Sequence, residues 1–136
     1  MSVNIEVREY AGRQCAFSGS AWEGKVGYSR AIRSGNFIAV SGTVGVNADG
    51  TFPPDLAGQM GRSLEVIKAA IEALGGKMEH VIRTSIAMAD INKWSEIAPI
   101  HFEYFGEIRP ASSISAAPTG IDPAVLVEVE VDCIIP

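Results

Sequence analysis

The sequence predicts an α+β fold in which two helices pack on one face of a β-sheet. Three observations indicate this class. Apolar residues recur at helical spacing in two segments, they alternate with polar residues in other segments, and turn-forming residues separate these stretches. The predicted order of elements is β-β-α-β-α-β-β, and a chain of 136 residues has the length of one domain, residues 1–136.

The first two strands are predicted within residues 28–46. Ser34-Gly35-Asn36 is typical of the turn between them, and residues 37–41 form the second strand. Gly42 has no side chain to pack inside a strand, so it indicates either a β-bulge or the close approach of another group.

Both helices are predicted from their apolar spacing. The first begins near Asp55, ends at Gly75-Gly76, and carries one apolar stripe: Leu56, Met60, Leu64, Ile67, Ile71 and Leu74. The second begins at an N-cap on Asn92 and extends to about residue 105. Its predicted buried side consists of Trp94, Ile97, His101, Tyr104 and Phe105.

Three more strands complete the sheet. Residues 80–90 form the first, with one face made of Ile82, Thr84, Ile86 and Met88. Residues 111–117 form the second, and Pro118-Thr119-Gly120 ends it. The last strand alternates strictly, with one apolar face made of Val125, Val127, Val129, Val131 and Cys133.

The opposite face of the last strand carries Glu128, Glu130 and Asp132. Three carboxylates cannot all be buried as ions, so either this face is hydrated or one acid lies in a pocket that uses it. The two helices leave the face uncovered, and alternation places Phe37, Ala39 and Val81 there as well. A surface of this mixed composition predicts a homo-oligomer, in which copies of the chain cover it.

Composition argues against several classes of partner. The net charge is −5 and the eleven Lys and Arg are scattered, so nucleic acid is not an expected partner. No apolar run approaches the roughly 20 residues that span a bilayer, so no membrane association is expected. Met1 to Tyr10 has no hydrophobic signal core, which favours a cytoplasmic location.

The cysteines and histidines do not predict a metal or redox site. Cys15 and Cys133 lie at opposite ends of the chain, and reduced thiols are the simplest interpretation. His80 and His101 have no further ligand at a suitable spacing. No metal and no cofactor are therefore predicted, and a small-molecule metabolite is the expected ligand.

Four segments, taken in order, resemble the YjgF/RidA family. They are Gly27-Tyr28-Ser29-Arg30-Ala31-Ile32, Val40-Ser41-Gly42-Thr43, Pro110-Ala111-Ser112-Ser113-Ile114 and Leu126-Val127-Glu128-Val129-Glu130. The resemblance covers roughly residues 27–134 and leaves 1–26 as a divergent N-terminal segment. It implies a chorismate-mutase-like fold with a mixed sheet, a homotrimer, and ligand clefts between subunits. It also implies hydrolysis of reactive enamines and imines to 2-oxo acids and ammonia.

The resemblance assigns roles to individual residues. Tyr28 matches a pocket tyrosine, Gly42 matches a glycine whose backbone lines the pocket, and Ile114 matches a position whose backbone contacts the substrate carboxylate. Glu128 matches the catalytic glutamate that holds the attacking water. Trp22 is a candidate aromatic wall at the pocket mouth, and packing against a neighbouring subunit is the alternative.

Ser112 departs from the family pattern, because the deaminating members have arginine at this position. One neutral hydroxyl cannot replace a planar guanidinium that pairs with a carboxylate. The sequence therefore indicates an Arg-less branch that is not an efficient 2-aminoacrylate deaminase. Arg30, Arg33 and Arg109 are candidates for a relocated anion anchor, although a surface role is favoured for each.

Three functions remain open at this point. The first is hydrolysis of an imine, enamine or related reactive metabolite by a water held on Glu128. The second is a sensor or scavenger that binds a metabolite without chemistry, and the third, less favoured, is an endoribonuclease. An interface carboxylate paired with an arginine of the next subunit is the alternative for Glu128 itself.

Overall fold

The computed structural model describes residues 3–119 and 121–136, in which seven strands form one sheet and two α-helices pack on it. Met1, Ser2 and Gly120, which belongs to the predicted strand break, lie outside these residues. The strands are β1 (Glu6–Tyr10), β2 (Arg13–Phe17), β3 (Ala31–Ser34), β4 (Phe37–Thr43), β5 (Val81–Met88), β6 (Ala111–Ala116) and β7 (Val127–Ile134). The helices are α1 (Leu56–Ala73) and α2 (Trp94–Phe105).

The strands lie in the order β1-β2-β3-β4-β7-β5-β6. Neighbouring strands are antiparallel except β5 and β6, which are parallel, so the sheet is mixed. From β3 onward the elements follow the predicted order, which confirms the α+β class. The hairpin of β1 and β2 was not predicted. Its two-residue turn uses positive φ angles at Ala11 and Gly12, and Ala-Gly is a weak turn signal in a sequence.

The closed face of the sheet is the face that packs against the helices. The predicted apolar face of the last strand lies here, since Val127, Val129, Val131 and Cys133 are at most 1% exposed. The α1 stripe packs on β4 and β7 and is buried as predicted. Asp55 caps this helix by accepting a hydrogen bond from the Gly58 amide, and the chain leaves it at Gly75 with a φ of +84°.

The start of α2 differs from the prediction. The carboxylate of Asp90, not the Asn92 side chain, caps the turn Ile91–Lys93 that leads into the helix, because it accepts the Asn92 amide. Trp94 then lies on the outside of the first turn and is 55% exposed, so its prediction as a buried residue was wrong. Ile97 and Phe105 are buried as predicted.

A bulge in β5 changes which of its residues face the helices. Val81 pairs with Cys133 and Arg83 pairs with Asp132, so Ile82 is one extra residue in the ladder. Val81 is therefore buried on the closed face, and Ile82 is exposed, which is the reverse of the prediction for both. Thr84, Ile86 and Met88 remain on the closed face as predicted.

The open face is the opposite side of the sheet, and no α-helix packs on it within the described residues. It carries Phe37, Ala39, Ser41, Ser85, Ala87, Glu128, Glu130 and Asp132. Beside it, β6 lies at the sheet edge and all six of its residues are exposed. An exposed face next to an exposed edge strand is a surface that proteins commonly cover with another chain.

Two further observations bear on the sequence predictions. Cys15 and Cys133 are both free thiols, and burial raises the pKa of Cys133 to about 12, with the nearby Asp132 acting in the same direction. No helix within residues 3–119 and 121–136 is long and apolar enough to cross a membrane.

Candidate functional site

Glu128 lies at the centre of the open face, where β7 runs between β4 and β5. It sits opposite Ala87 of β5, and the β4 ladder is irregular beside it, with a register shift between Val40 and Thr43. Gly42 lies in this irregular stretch. A β-carbon there would come within 2.8 Å of the Glu128 carboxylate, so the prediction of either a β-bulge or a close approach at Gly42 is confirmed by the close approach.

The environment of Glu128 favours its neutral form. Partial burial raises the pKa of this carboxyl, and the neighbouring charge of Glu130 raises it further. The positive charge of Arg30 acts in the opposite direction and is the weaker influence. A carboxyl whose pKa lies above its ordinary value is suited to accept a proton near neutral pH.

A depression of about 300 Å³ adjoins Glu128 on the open face. Its lining contains two carboxylates, three serine hydroxyls and two aliphatic side chains: Ser85, Ile86, Ala87, Ser113, Ser115, Glu128 and Glu130. The lining contains no lysine or arginine. Within one chain, the depression is therefore acidic and offers hydroxyl groups rather than a cation to a bound molecule.

Tyr28 and Arg30 lie on the other flank of Gly42. Arg30 is 6% exposed, so its prediction as a surface residue was wrong. Its guanidinium donates to the Tyr28 hydroxyl at 3.2 Å and to the Gly42 carbonyl at 2.6 Å. Arg30 thus connects Tyr28 and Gly42, and the Glu128 carboxylate lies directly beside Gly42.

Ser112 and Ile114 lie on the other side of the sheet from Glu128 in the same chain. Ser112 pairs with Thr84 and Ile114 with Ile86, which both face the helices, whereas Glu128 is opposite Ala87 on the open face. The buried Thr84 hydroxyl donates to the Ser112 hydroxyl at 2.8 Å. One chain alone therefore does not bring Ser112 and Ile114 into contact with Glu128.

The nearby His101 completes a short hydrogen-bonded chain behind Ser112. Its Nε2 lies 2.9 Å from the Thr84 hydroxyl, and burial lowers the pKa of the imidazole. The sequence pattern predicts His101 on the buried side of α2 and Thr84 on a strand face, and nothing in that pattern connects either residue to Ser112. Only the parallel pairing of β5 and β6 makes that connection visible.

The remaining candidates are distributed around the site. Trp22 is 46% exposed, and its ring lies 5.4 Å from the Lys25 ammonium. Arg33 donates to the Leu74 carbonyl at the end of α1 and to the Gly35 carbonyl, so it holds a helix end. Arg109 is exposed and has a φ of +55°. These contacts give neither arginine a role at Glu128.

Glu23 was missed by the sequence analysis. It is 5% exposed, and it pairs with Arg30 at 3.2 Å between Oε2 and Nε. The single helical turn Glu23–Gly27 places it there, in the segment that seemed divergent. A glutamate seven residues before an arginine gives no periodic signal, so only the folded chain identifies the pair.

A second depression, of about 210 Å³, lies where α1 and α2 begin. It is lined in part by Asp55 and Asp90, and both carboxylates already accept backbone amides as helix caps. These acids are explained by local structure, so the open face remains the better candidate.

Comparison with known proteins identifies the family to which the chain belongs. Residues 19–135 match the model of a family described as Endoribonuclease L-PSP. A RutC family protein of Pyrococcus horikoshii is 31% identical over 105 residues, which cover 76% of this chain and 82% of that protein. The 2-iminobutanoate/2-iminopropanoate deaminase of Escherichia coli is 32% identical over 81 residues, which cover 59% of this chain and 63% of that enzyme.

The fold comparison extends over more of the chain. A crystal structure of a YjgF/YER057c/UK114 family member from Mycobacterium tuberculosis superposes with a TM-score of 0.83 at 37% identity. It covers 90% of this chain and 99% of that one. The family match begins at residue 19, so it includes Glu23 and the last eight residues of the segment 1–26 that was predicted to be divergent.

Proposed function

Since the chain belongs to the YjgF/RidA family, whose family model is described as Endoribonuclease L-PSP, we propose that it hydrolyses a small imine or enamine with Glu128 as general base. The observation that carries the proposal is the position of Glu128. It is a half-buried carboxyl with a raised pKa, held against Gly42 at the edge of a depression on the open face. Such a group can take a proton from water during attack on a C=N carbon.

We further propose that the cleft is formed between copies of the chain, in a homotrimer. Ser112 and Ile114 are on the opposite side of the sheet from Glu128 in one chain. They can share a ligand with Glu128 only if a neighbouring copy supplies them. Both residues lie in the exposed edge strand β6. Packing of β6 against the open face of a neighbouring copy would cover this strand, which supports the arrangement.

The proposed reaction uses one water and releases ammonia. Glu128 accepts a proton from water as the water oxygen bonds to the carbon of the protonated imine, which gives a neutral tetrahedral carbinolamine. The protonated Glu128 then gives this proton to the carbinolamine nitrogen. Glu128 takes the hydroxyl proton as the carbonyl group forms and the C–N bond breaks, and it passes that proton to the departing ammonia, so that ammonium leaves and Glu128 is again a carboxylate.

The charges around the cleft favour an imine that lacks a carboxylate. The depression contains Glu128 and Glu130, and Ser112 is neutral where the deaminating type has arginine. Arg30 is already paired with Glu23, so its charge is compensated. Within one chain, the carboxylate of a 2-imino acid would approach Glu130 and the ionised form of Glu128, and the lining offers no lysine or arginine to receive it, which is unfavourable in a partly dry site.

The experiment compares two unstable imines generated in the cuvette by flavin-dependent oxidases. One is 2-iminopropanoate, made from alanine, and the other is the imine of benzaldehyde, made from benzylamine. Semicarbazide traps the free imine and so competes with hydrolysis. We expect the natural protein to accelerate hydrolysis of the carboxylate-free imine, and Glu128→Gln to lose that acceleration.

Ser112→Arg provides the matched test of substrate class. It should gain hydrolysis of 2-iminopropanoate that the natural protein performs poorly. Rapid hydrolysis of 2-iminopropanoate by the natural protein would show that the role given to Ser112 is wrong. Unchanged turnover in Glu128→Gln would remove Glu128 from the mechanism.

A non-catalytic metabolite-binding protein is the second candidate, favoured by the hydroxyl-rich lining of the depression. Native mass spectrometry of the purified protein distinguishes it, because a retained and unreacted metabolite together with no imine turnover would support binding alone. Endonuclease activity is disfavoured by the net charge of −5 and the two carboxylates in the lining, which repel phosphates. RNA cleavage by the natural protein that is lost in Glu128→Gln would instead support endonuclease activity.

A further inference from the structure

Two opposite charges are buried next to the candidate site. Glu23 and Arg30 are 5% and 6% exposed, and Arg30 Nε lies 3.2 Å from Glu23 Oε2. A buried ion pair is stable only when hydrogen bonds satisfy its remaining donors and acceptors. The hydrogen bonds of Glu23 and of Arg30 therefore show which parts of the chain the ion pair connects.

The Glu23 carboxylate is fixed by the chain that precedes it. Its oxygens accept the Ser18 amide at 3.1 and 3.3 Å, the Gly19 amide at 3.3 Å and the Ser18 hydroxyl. The Glu23–Gly27 turn then leads directly to Tyr28, whose amide donates to the Glu23 carbonyl at 3.1 Å. This local network fixes the negative end of the pair.

The Arg30 guanidinium pairs with the Glu23 carboxylate and also donates hydrogen bonds to residues of the candidate site. Nη1 donates to the Gly42 carbonyl at 2.6 Å and to the Thr43 hydroxyl at 3.3 Å. Nη2 donates to the Tyr28 hydroxyl at 3.2 Å. Nε is used by Glu23, so the planar fork connects three separate parts of the chain.

These contacts also reach Glu128 indirectly. The Arg30 bond to the Gly42 carbonyl holds the irregular stretch of β4 against which the Glu128 carboxylate lies. The same guanidinium orients the Tyr28 hydroxyl at the flank of the site. Loss of the Arg30 guanidinium would therefore release both the Gly42 carbonyl and the Tyr28 hydroxyl beside Glu128.

We propose that the Glu23–Arg30 ion pair is a positioning unit that fixes Tyr28 and Gly42 around Glu128 and sets the electrostatic environment of that carboxyl. Arg30 is then not the relocated anion anchor, because its fork is occupied by protein groups and its charge is balanced by Glu23. The kinetic part of this inference rests on the function proposed above; the electrostatic part does not.

The charges around Glu128 make the proposal testable through the sign of a pKa change. Arg30 lowers the pKa of Glu128, while burial and Glu130 raise it. Removing the Arg30 charge should raise this pKa further, and removing the Glu23 charge should lower it, because Arg30 is then uncompensated. The charged and titratable groups on the elements around Glu128 are Glu23, Tyr28, Arg30, Arg83, Glu130 and Asp132.

The experiment is an NMR titration of the Glu128 carboxyl in protein with ¹³C-labelled glutamate, assigned by its absence in Glu128→Gln. Arg30→Gln should raise the pKa of Glu128, and Glu23→Gln should lower it. The exposed positions Arg13→Gln and Glu72→Gln make the same changes of net charge away from the site and should leave it unmoved.

A merely structural role gives a different result. If the pair only held the fold together, both variants would loosen the site, hydrate Glu128 and lower its pKa toward the ordinary value. A fall in both variants, or no change in either, would therefore overturn the proposal. The titration needs no turnover, so a failure of the proposed function leaves its outcome interpretable.

Arg30→Lys tests the geometric part separately. It keeps the positive charge but loses the fork that reaches Tyr28 and Gly42 together. With an imine that the natural protein hydrolyses, kcat should fall at least about tenfold while KM changes less, and the pKa of Glu128 should stay near its natural value. Natural kcat in Arg30→Lys would contradict a positioning role for the fork.

Discussion

The two faces of β7 differ in what their residues do. Val127, Val129 and Val131 on the closed face are at most 1% exposed and pack against the helices. Glu128 and Glu130, which alternate with them, lie on the open face beside a depression. One strand thus supplies both the centre of the hydrophobic core and the centre of the candidate site.

The comparison shows that the effect of a substitution in β7 depends on the face of the sheet on which the side chain lies. On the closed face a change acts on packing, because the side chains have no space in which to move. On the open face a change acts on chemistry and electrostatics, because the side chains border solvent or a ligand. A substitution on the closed face should therefore reduce stability, whereas a substitution of the adjacent residue on the open face should reduce activity.

The largest expected contrast is between Val129→Asp and Glu128→Gln. Val129→Asp buries an unpaired carboxylate in the core and should lower the free energy of unfolding by at least about 3 kcal/mol. Glu128→Gln should not lower the free energy of unfolding, and it should reduce imine turnover by about 100- to 10,000-fold. Urea denaturation and the imine assay measure the two effects. A Val129→Asp protein as stable as the natural protein would contradict the claim that the closed face of β7 serves packing.

A smaller contrast is expected between two glycines that both lie close to other groups. A β-carbon at Gly45 would collide with the backbone carbonyl of Gln59 in α1, so Gly45→Ala should destabilise the fold by about 1–3 kcal/mol. The three atoms nearest to a β-carbon at Gly42 all belong to the carboxylate of Glu128, a side chain that can turn away. Gly42→Ala should therefore leave thermal stability nearly unchanged.

The effect of Gly42→Ala should appear in function instead. Displacement of the Glu128 carboxylate should reduce imine turnover about tenfold or more, because a general base must lie within hydrogen-bond reach of the water that it activates. Equal destabilisation by the two alanine variants would show that Gly42 serves packing rather than the site.

The smallest expected effect is a pH dependence of stability that originates at Glu128. Its pKa is raised in the folded protein, so the folded state binds this proton more tightly than the unfolded state does. The resulting stabilisation is present at low pH and is lost as pH rises through the pKa of the folded state. Glu128→Gln should therefore gain stability relative to the natural protein as pH rises from the ordinary glutamate pKa of 4.5 through the pKa of Glu128 in the folded state.

Urea midpoints of the two proteins, measured across this pH range, provide the check. Exposed Glu72→Gln serves as the control, because its carboxyl lies on the outer surface of α1. A constant difference between Glu128→Gln and the natural protein at every pH would mean that Glu128 titrates as it does in the unfolded chain.

Much of the fold followed from local patterns in the sequence. The α1 stripe, the alternation in β7 and the glycine at position 42 each reflect a rule that acts over a few residues. The bulge at Ile82 did not follow, because one extra residue in a ladder leaves no signature in the apolar pattern. The β1–β2 hairpin was missed because its turn residues are not distinctive.

The candidate site was predictable only in part. Tyr28, Gly42 and Glu128 were identified through motifs, and the structure brings them together. The Glu23–Arg30 pair depends on how the N-terminal segment folds back, which no spacing rule describes. The placement of Ser112 on the other side of the sheet depends on strand pairing between distant segments.

Mixing two inactive variants tests the central claim most directly, namely that Glu128 works in a cleft completed by a second copy. Glu128→Gln and Ser112→Tyr chains, coexpressed with different affinity tags and purified as mixed trimers, should regain about a third of the natural imine turnover, since each mixed trimer has both natural residues in one of its three clefts. If the mixture stays as inactive as its parents, both residues are needed in one chain or Ser112 is not part of the site, and the shared-cleft account is wrong.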